Sequence, residues 1–194
     1  MVSQLCDLVR WSLALVARAA RHTLTSQDGK TLYDRHKCRP DMAQEVTKMP
    51  TDRKSVVLAI LAAGGGGTFT PTQLQKAAFL VSQNLTEVFA GGSRFSFAPY
   101  NYGPFDAGVY HEAEALKAEA MAEIANSAQG RWREYSASQA GVQRGEVVLN
   151  SLAPKHQEYI RLVAAWVRSL SFQQLVRSIY DHYPEMRANS IFRG

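Results

Sequence analysis

FSFAPYNYGPFDAGVYHEAEALKAEAMAEI, residues 95–124, is the stretch on which the fold turns. Phe95 and Phe97 alternate with Ser96, as in a short half-buried strand over Arg94–Ala98. Tyr100-Asn101-Tyr102-Gly103-Pro104-Phe105 then reads as a tight aromatic turn. Gly103 can take backbone angles closed to other residues, and Pro104 fixes the next φ. Proline also suits the start of a helix, where its missing N–H costs nothing. Asp106 is placed to cap that helix or to favour its positive end. Val109, Ala113, Leu116, Ala120 and Ile124 recur at helical spacing and predict one long amphipathic helix running to Ile124. Its other face carries Glu112, Glu114, Glu119 and Glu123 against Lys117 alone.

Upstream, Ser55–Ala63 (SVVLAILAA) is short, apolar and free of strand-type alternation, and predicts a buried helix. Gly64–Gly67 ends it. A phosphate loop needs Lys-Ser or Lys-Thr directly after its last glycine, whereas the next lysine here is Lys76, so the run reads as a helix–helix turn. Thr70-Pro71-Thr72-Gln73 is a helix start with a capping box. Leu74, Ala77, Ala78, Val81, Leu85, Val88 and Phe89 form its buried stripe, and Gly91-Gly92 stops it. Lys76 is the lone charge on this helix. It is expected to reach the Gly-Pro turn or a partner's carboxylate.

Downstream, Arg131–Ser138 predicts a strand, and a helix follows to about Leu152. Pro154 opens another, with Ile160, Val163, Val167 and Leu170 as its core face. Ser171-Phe172-Gln173-Gln174 is a second capping box before a last helix that buries Leu175, Val176, Ile179, Tyr180 and Tyr183 and stops at Pro184. This order predicts an α+β, mostly α fold: a winged-helix-like core with a small β element and C-terminal helices.

The chain has 194 residues and a formal charge of +5. Residues 1–48 hold eight Lys/Arg and five Asp/Glu (+3), leaving fourteen and twelve (+2) for residues 49–194. The expected domain at 49–194 is thus nearly balanced, unlike a basic nucleic-acid module. Both cysteines, Cys6 and Cys38, lie in the first 48 residues. A disulfide framework is excluded for the remainder, and a reducing, cytoplasmic setting is expected. Residues 3–22 have helical periodicity, and 23–50 lose it. The composition break at Met49 marks residues 1–48 as an extension, non-native or loosely attached, and dispensable for folding. No membrane span is expected: the uncharged run Ser55–Gln75 is interrupted by glycines, threonines and Pro71. Trp11–Ala17 is too short for a signal-peptide core.

Catalytic patterns are absent from the sequence. His111-Glu112 begins like a zinc-protease helix, but Ala115 stands where the second histidine belongs. Asp181, His182 and Glu185 read as a polar helix end. No nucleophile elbow, dinucleotide fingerprint or zinc spacing occurs. No cofactor, metal or catalytic residue is expected. A winged helix invites a DNA reading, but a helix with four glutamates and one lysine would be repelled by phosphates. Arg131, Arg133 and Arg144 are the local basic group near the wing.

Leu74-Gln75-Lys76-Ala77-Ala78-Phe79-Leu80 resembles the "LxKLLYF"-type helix of the Panacea (SocA-like antitoxin) domain. Tyr102-Gly103-Pro104-Phe105 resembles its Tyr/Trp-x-Gly-Pro turn, and Val109-Tyr110 the Val-Tyr pair after it. Ser171–Leu175 and Ile179–Pro184 are similar to the C-terminal region of longer relatives. The resemblance covers about residues 55–192. It implies an α-rich, non-enzymatic domain of bacterial or phage toxin–antitoxin systems. Such a domain binds a toxin directly or presents it to a protease, so the expected partner is a toxin, with a protease or chaperone as a second kind. Lys76, Tyr100, Tyr102, Gly103, Pro104, Phe105 and Tyr110 are the candidate motif and interaction residues, and Glu112, Glu119 and Glu123 a candidate acidic interface. The less favoured alternative is a winged-helix DNA-binding regulator.

Overall fold

The computed structural model describes residues 52–86, 94–128 and 130–193. The expectations about residues 1–48, Val88, Phe89 and the Gly91-Gly92 stop lie outside them. Helix α1, Arg53–Ala63, starts at Asp52, whose carboxylate accepts from Ser55 N at 2.7 Å. Every residue from Val56 to Ala62 is buried. A helix apolar all round belongs at the centre, and α1 packs against all the helices here called α2 to α5 and against strand β4. Gly65 and Gly66 turn the chain with φ of +60° and +80°. Helix α2, Pro71–Asn84, begins with the expected box: Gln73 N donates to Thr70 Oγ1 at 3.3 Å, and Thr70 N to Gln73 Oε1 at 2.9 Å.

Strands β1 (Ala98–Tyr100) and β2 (Gly103–Phe105) form an antiparallel hairpin around Asn101-Tyr102. Helix α3 is Gly108–Ala118, strand β3 Ala122–Asn126 and strand β4 Arg133–Ala137. β3 and β4 pair antiparallel with Ile124 opposite Tyr135. Phe69 adds an isolated bridge: its N donates to Tyr135 O at 2.8 Å, and Tyr135 N to its O at 2.9 Å. Helices α4 (Gln139–Asn150), α5 (Pro154–Ser169) and α6 (Phe172–His182) follow, then a 3-10 turn at Pro184–Arg187. The fold is α+β and mostly α. α1, the Phe69 bridge, α2, α3 and the β3–β4 wing give the winged-helix-like order, with the β1–β2 hairpin inserted between α2 and α3.

Several elements differ from expectation. The long helix ends at Ala118, not Ile124. Ala120 takes φ +58°, a left-handed angle that an alanine adopts at a cost of about 1–2 kcal/mol. Ala122–Asn126 leaves the helix to pair with β4, so Ile124 and Glu123 belong to a strand. Backbone pairing with β4 outweighs the helix propensity of this alanine-rich segment, a weak local preference that tertiary pairing overrides. Gly103-Pro104 lies in a hairpin strand and not at a helix start. Pro99 faces Pro104 in that hairpin, a position that must need no ladder N–H from either side. Residues 94–97 lie outside any ladder, although Phe95 is buried and Ser96 exposed as the alternation predicts.

Candidate functional site

The hairpin is held against α2 by the side chains of two neighbouring residues. Gln75 is buried and its amide imitates a strand: Nε2 donates to Asp106 O at 2.9 Å, and Asp106 N donates to Oε1 at 3.2 Å. Lys76 is 3% exposed, and its Nζ donates to Pro104 O at 2.9 Å. The register explains that acceptor. A residue in a non-hydrogen-bonded antiparallel pair turns its carbonyl away from the partner strand. Pro104 O thus points outward to α2, while Pro99 O on the other edge accepts from Asn189 Nδ2 at 3.1 Å. The Lys76 ammonium has no carboxylate partner among the described residues, and burial pulls its pKa down to about 7.

Gly103 sits beneath this amine with φ +95°. A Cβ there would lie 3.3 Å from the Tyr180 ring and 3.5 Å from Lys76 Nζ. Gly103→Val should therefore cost more than about 1 kcal/mol, through the left-handed φ and the crowding together. Urea unfolding checks this, and an unchanged midpoint would refute it.

Between α2 and the hairpin lies a cleft of about 290 Å³. Lys76 of α2, Tyr100, Tyr102, Gly103 and Phe105 of the hairpin and Tyr110 near the start of α3 all line it. Pro104 is not part of the lining and touches the site only as the acceptor of the Lys76 hydrogen bond. Tyr100 and Tyr102 stand at the rim, 53% and 40% exposed, and are the large apolar groups that meet solvent there. The Tyr100 and Phe105 rings lie 5.1 Å apart, and Tyr102 meets Phe172 edge-on at 5.0 Å. Tyr110 stacks on Tyr135 at 5.7 Å, and its hydroxyl donates to Pro71 O at 3.2 Å. Burial raises the Tyr110 phenol well above its ordinary range. The site therefore has an apolar aromatic wall and one cationic group at its floor.

Pro71, Thr72, Gln75 and Asn101 complete the lining and were not among the expected site residues. Gln75 had a visible signal, a second polar residue beside Lys76 in a helix otherwise buried on both sides.

The three acids expected on one helix do not share it. Glu112 remains partly exposed on α3, but Glu119 lies past the helix end and pairs with Lys54 at 2.6 Å. Glu114 pairs with Arg133 of the wing. Glu123 is exposed on β3, not on the helix that carries Glu112. The cause is the early end of α3, which breaks the periodicity that would have aligned them.

Among the described residues no group of three His, Cys, Asp or Glu side chains is placed to hold a metal ion, and no helix is long and apolar enough to cross a membrane. No family model matches this chain, and neither a curated protein nor a solved structure does.

Proposed function

We propose that this is a non-enzymatic protein-interaction domain that acts as an antitoxin, neutralising a cognate toxin by direct binding or by presenting it for proteolysis. The observation that carries this reading is the cleft: the motif residues on α2, the hairpin and α3 converge on one concave, aromatic-rimmed surface. Exposed tyrosines beside a mainly apolar pocket are the usual anchors of protein interfaces. The motif resemblance supplies the toxin as partner class.

The test is co-expression with the product of a small neighbouring reading frame. Growth should be rescued and the two proteins should co-purify. Tyr100→Ala with Tyr102→Ala should weaken the complex about 30-fold or more, as loss of a hot spot worth about 2 kcal/mol does. The melting temperature should fall only slightly, because both side chains stand at the rim and are about half-exposed.

One observation favours a DNA-binding regulator as a second reading. The wing places exposed Arg131, Trp132 and Arg133 beside α3. Against it, α3 offers Glu112 and Glu114 for one Lys117, and Arg133 is already paired with Glu114. Specific, salt-sensitive binding of the protein's own promoter at physiological ionic strength, unaffected by the tyrosine substitutions, would replace the antitoxin reading.

A further inference from the structure

We propose that the cleft captures the free C-terminus of a partner protein, with the terminal carboxylate on the Lys76 ammonium and the last apolar side chains held between Tyr100, Tyr102 and Phe105. This rests on the domain being a protein-interaction module and names what it grips.

The first support is Lys76 itself. An ammonium has three donors, and among the described residues this one has a single acceptor, Pro104 O. A buried cation without an anion is expensive. The hairpin has a second attachment to α2, since Gln75 makes two hydrogen bonds to the Asp106 backbone. A methionine could fill the same volume at lower cost in desolvation. An arriving carboxylate supplies the missing charge and takes up the free donors in a charge-assisted pair.

The second support is that the fold leaves this place open. Asp106, the nearby acid in sequence, turns its carboxylate to Ser96 N and Gly108 N instead. Among the described residues, the other titratable groups that line the cleft are phenols, Tyr100 and Tyr102 on the hairpin and Tyr110 on α3, and the Tyr180 ring of α6 lies beside Gly103. Binding of an anion restores the proton to an amine that burial has brought down to about 7.

The third is size. A cleft of about 290 Å³ has room for roughly ten waters at about 30 Å³ each. The tip of a single Asp or Glu side chain would leave most of that wet. A chain end brings a carboxylate, its final side chain and the preceding residue together. It also enters end-on, whereas an internal segment must pass in and out. The rim rings suit aliphatic side chains.

The test uses the full chain and three peptides: Ac-Leu-Ala-Leu with a free carboxylate, its C-terminal amide, and Ac-Leu-Glu-Leu amide. Titration calorimetry near neutral pH should show the free acid binding at least about tenfold more tightly than either amide. At about pH 8, comparison of two buffers of different ionisation enthalpy should show proton uptake with the free acid. Lys76→Met should abolish both the acid preference and the proton uptake. Independently of that variant, the 13Cε resonance of Lys76 in the unaltered protein should move with the acid and not with its amide. Equal affinity for acid and amide, or no binding of any peptide at millimolar concentration, overturns the proposal. A Glu-bearing amide that matches the free acid overturns the chain-end assignment. If these peptides fail while the tyrosine substitutions still disrupt the toxin complex, the interaction reading stands and this one falls. If the acid preference holds while no toxin is bound, the chain-end site stands and the antitoxin assignment falls.

Discussion

Gly141→Ala should destabilise the protein by about 2–3 kcal/mol, even though alanine is the better helix former by about 1 kcal/mol. Gly141 lies in the first turn of α4. A Cβ there would overlap the carbonyl oxygen of Met121. That carbonyl cannot rotate aside, because it accepts from Ser138 N at 3.0 Å, and Ser138 Oγ donates to Ala120 O at 2.7 Å. Either α4 or the chain turn between α3 and β3 must move. Gly145, one turn on, meets α1 in the same way: its Cβ would overlap that of Ala62 and lie 3.0 Å from Leu58 O. Gly145→Ala should cost a similar amount by separating α1 from α4. Gly67→Ala is the control. Its nearest neighbour is the Arg168 guanidinium, which can swing away. Denaturant titration should rank Gly141→Ala and Gly145→Ala far below Gly67→Ala. A Gly141→Ala protein as stable as the parent would contradict this packing.

The second large effect is a pH dependence. The Lys76 amine has an ordinary pKa of 10.5 and one of about 7 in the fold. Between those values the unfolded chain binds the extra proton and the folded chain does not. Stability therefore rises with pH across this window and is flat below it, where both states are protonated. Relative to Lys76→Met, the parent should gain about 2 kcal/mol between pH 7 and pH 9. The comparison cancels the contributions of Tyr110, Tyr135 and Tyr159, whose phenols burial raises in both proteins. Below pH 7 Lys76→Met loses only the hydrogen bond to Pro104 O and is relieved of a buried charge. Unfolding free energies measured at pH 6, 7, 8 and 9 test this. A constant difference across the series would mean that the amine stays charged in the fold.

Much of the fold was legible because local chemistry and tertiary context agreed. The boxes at Thr70/Gln73 and Ser171/Gln174 are closed as read, and the apolar run of α1 is buried as read. Lys76 was legible for a related reason, since a single charge in a buried stripe must find an acceptor. The errors lie where pairing partners distant in sequence overrode local preference. EAMAEI favours a helix by itself, and only β4 makes Ala122–Asn126 a strand. Gly-Pro suits a helix start by itself, and only Pro99 opposite makes it a hairpin edge. The cleft was half legible. Its aromatic residues stood out, but the meeting of Thr72 and Gln75 with Asn101 depends on how the hairpin docks. The Gly141/Gly145 spacing was a further signal for close helix packing that periodicity alone does not weigh.

The hairpin that walls the cleft has its outer edge secured from far along the chain. Asn189 holds Pro99 O, and Ile191 N donates to Asn101 O at 3.0 Å. The first of these pairs is separated by 90 residues. At about 5–20 residues per second, a ribosome needs about 5–18 s to make that stretch. During synthesis β1 and β2 therefore wait, with one edge open, for a clasp that has not yet been translated. Helices α1 and α2 can meet early, but the finished cleft is a late product of biogenesis. A nascent chain stalled before Asn189 would carry the motif residues without the surface they build, and would be unable to engage a partner until elongation resumed.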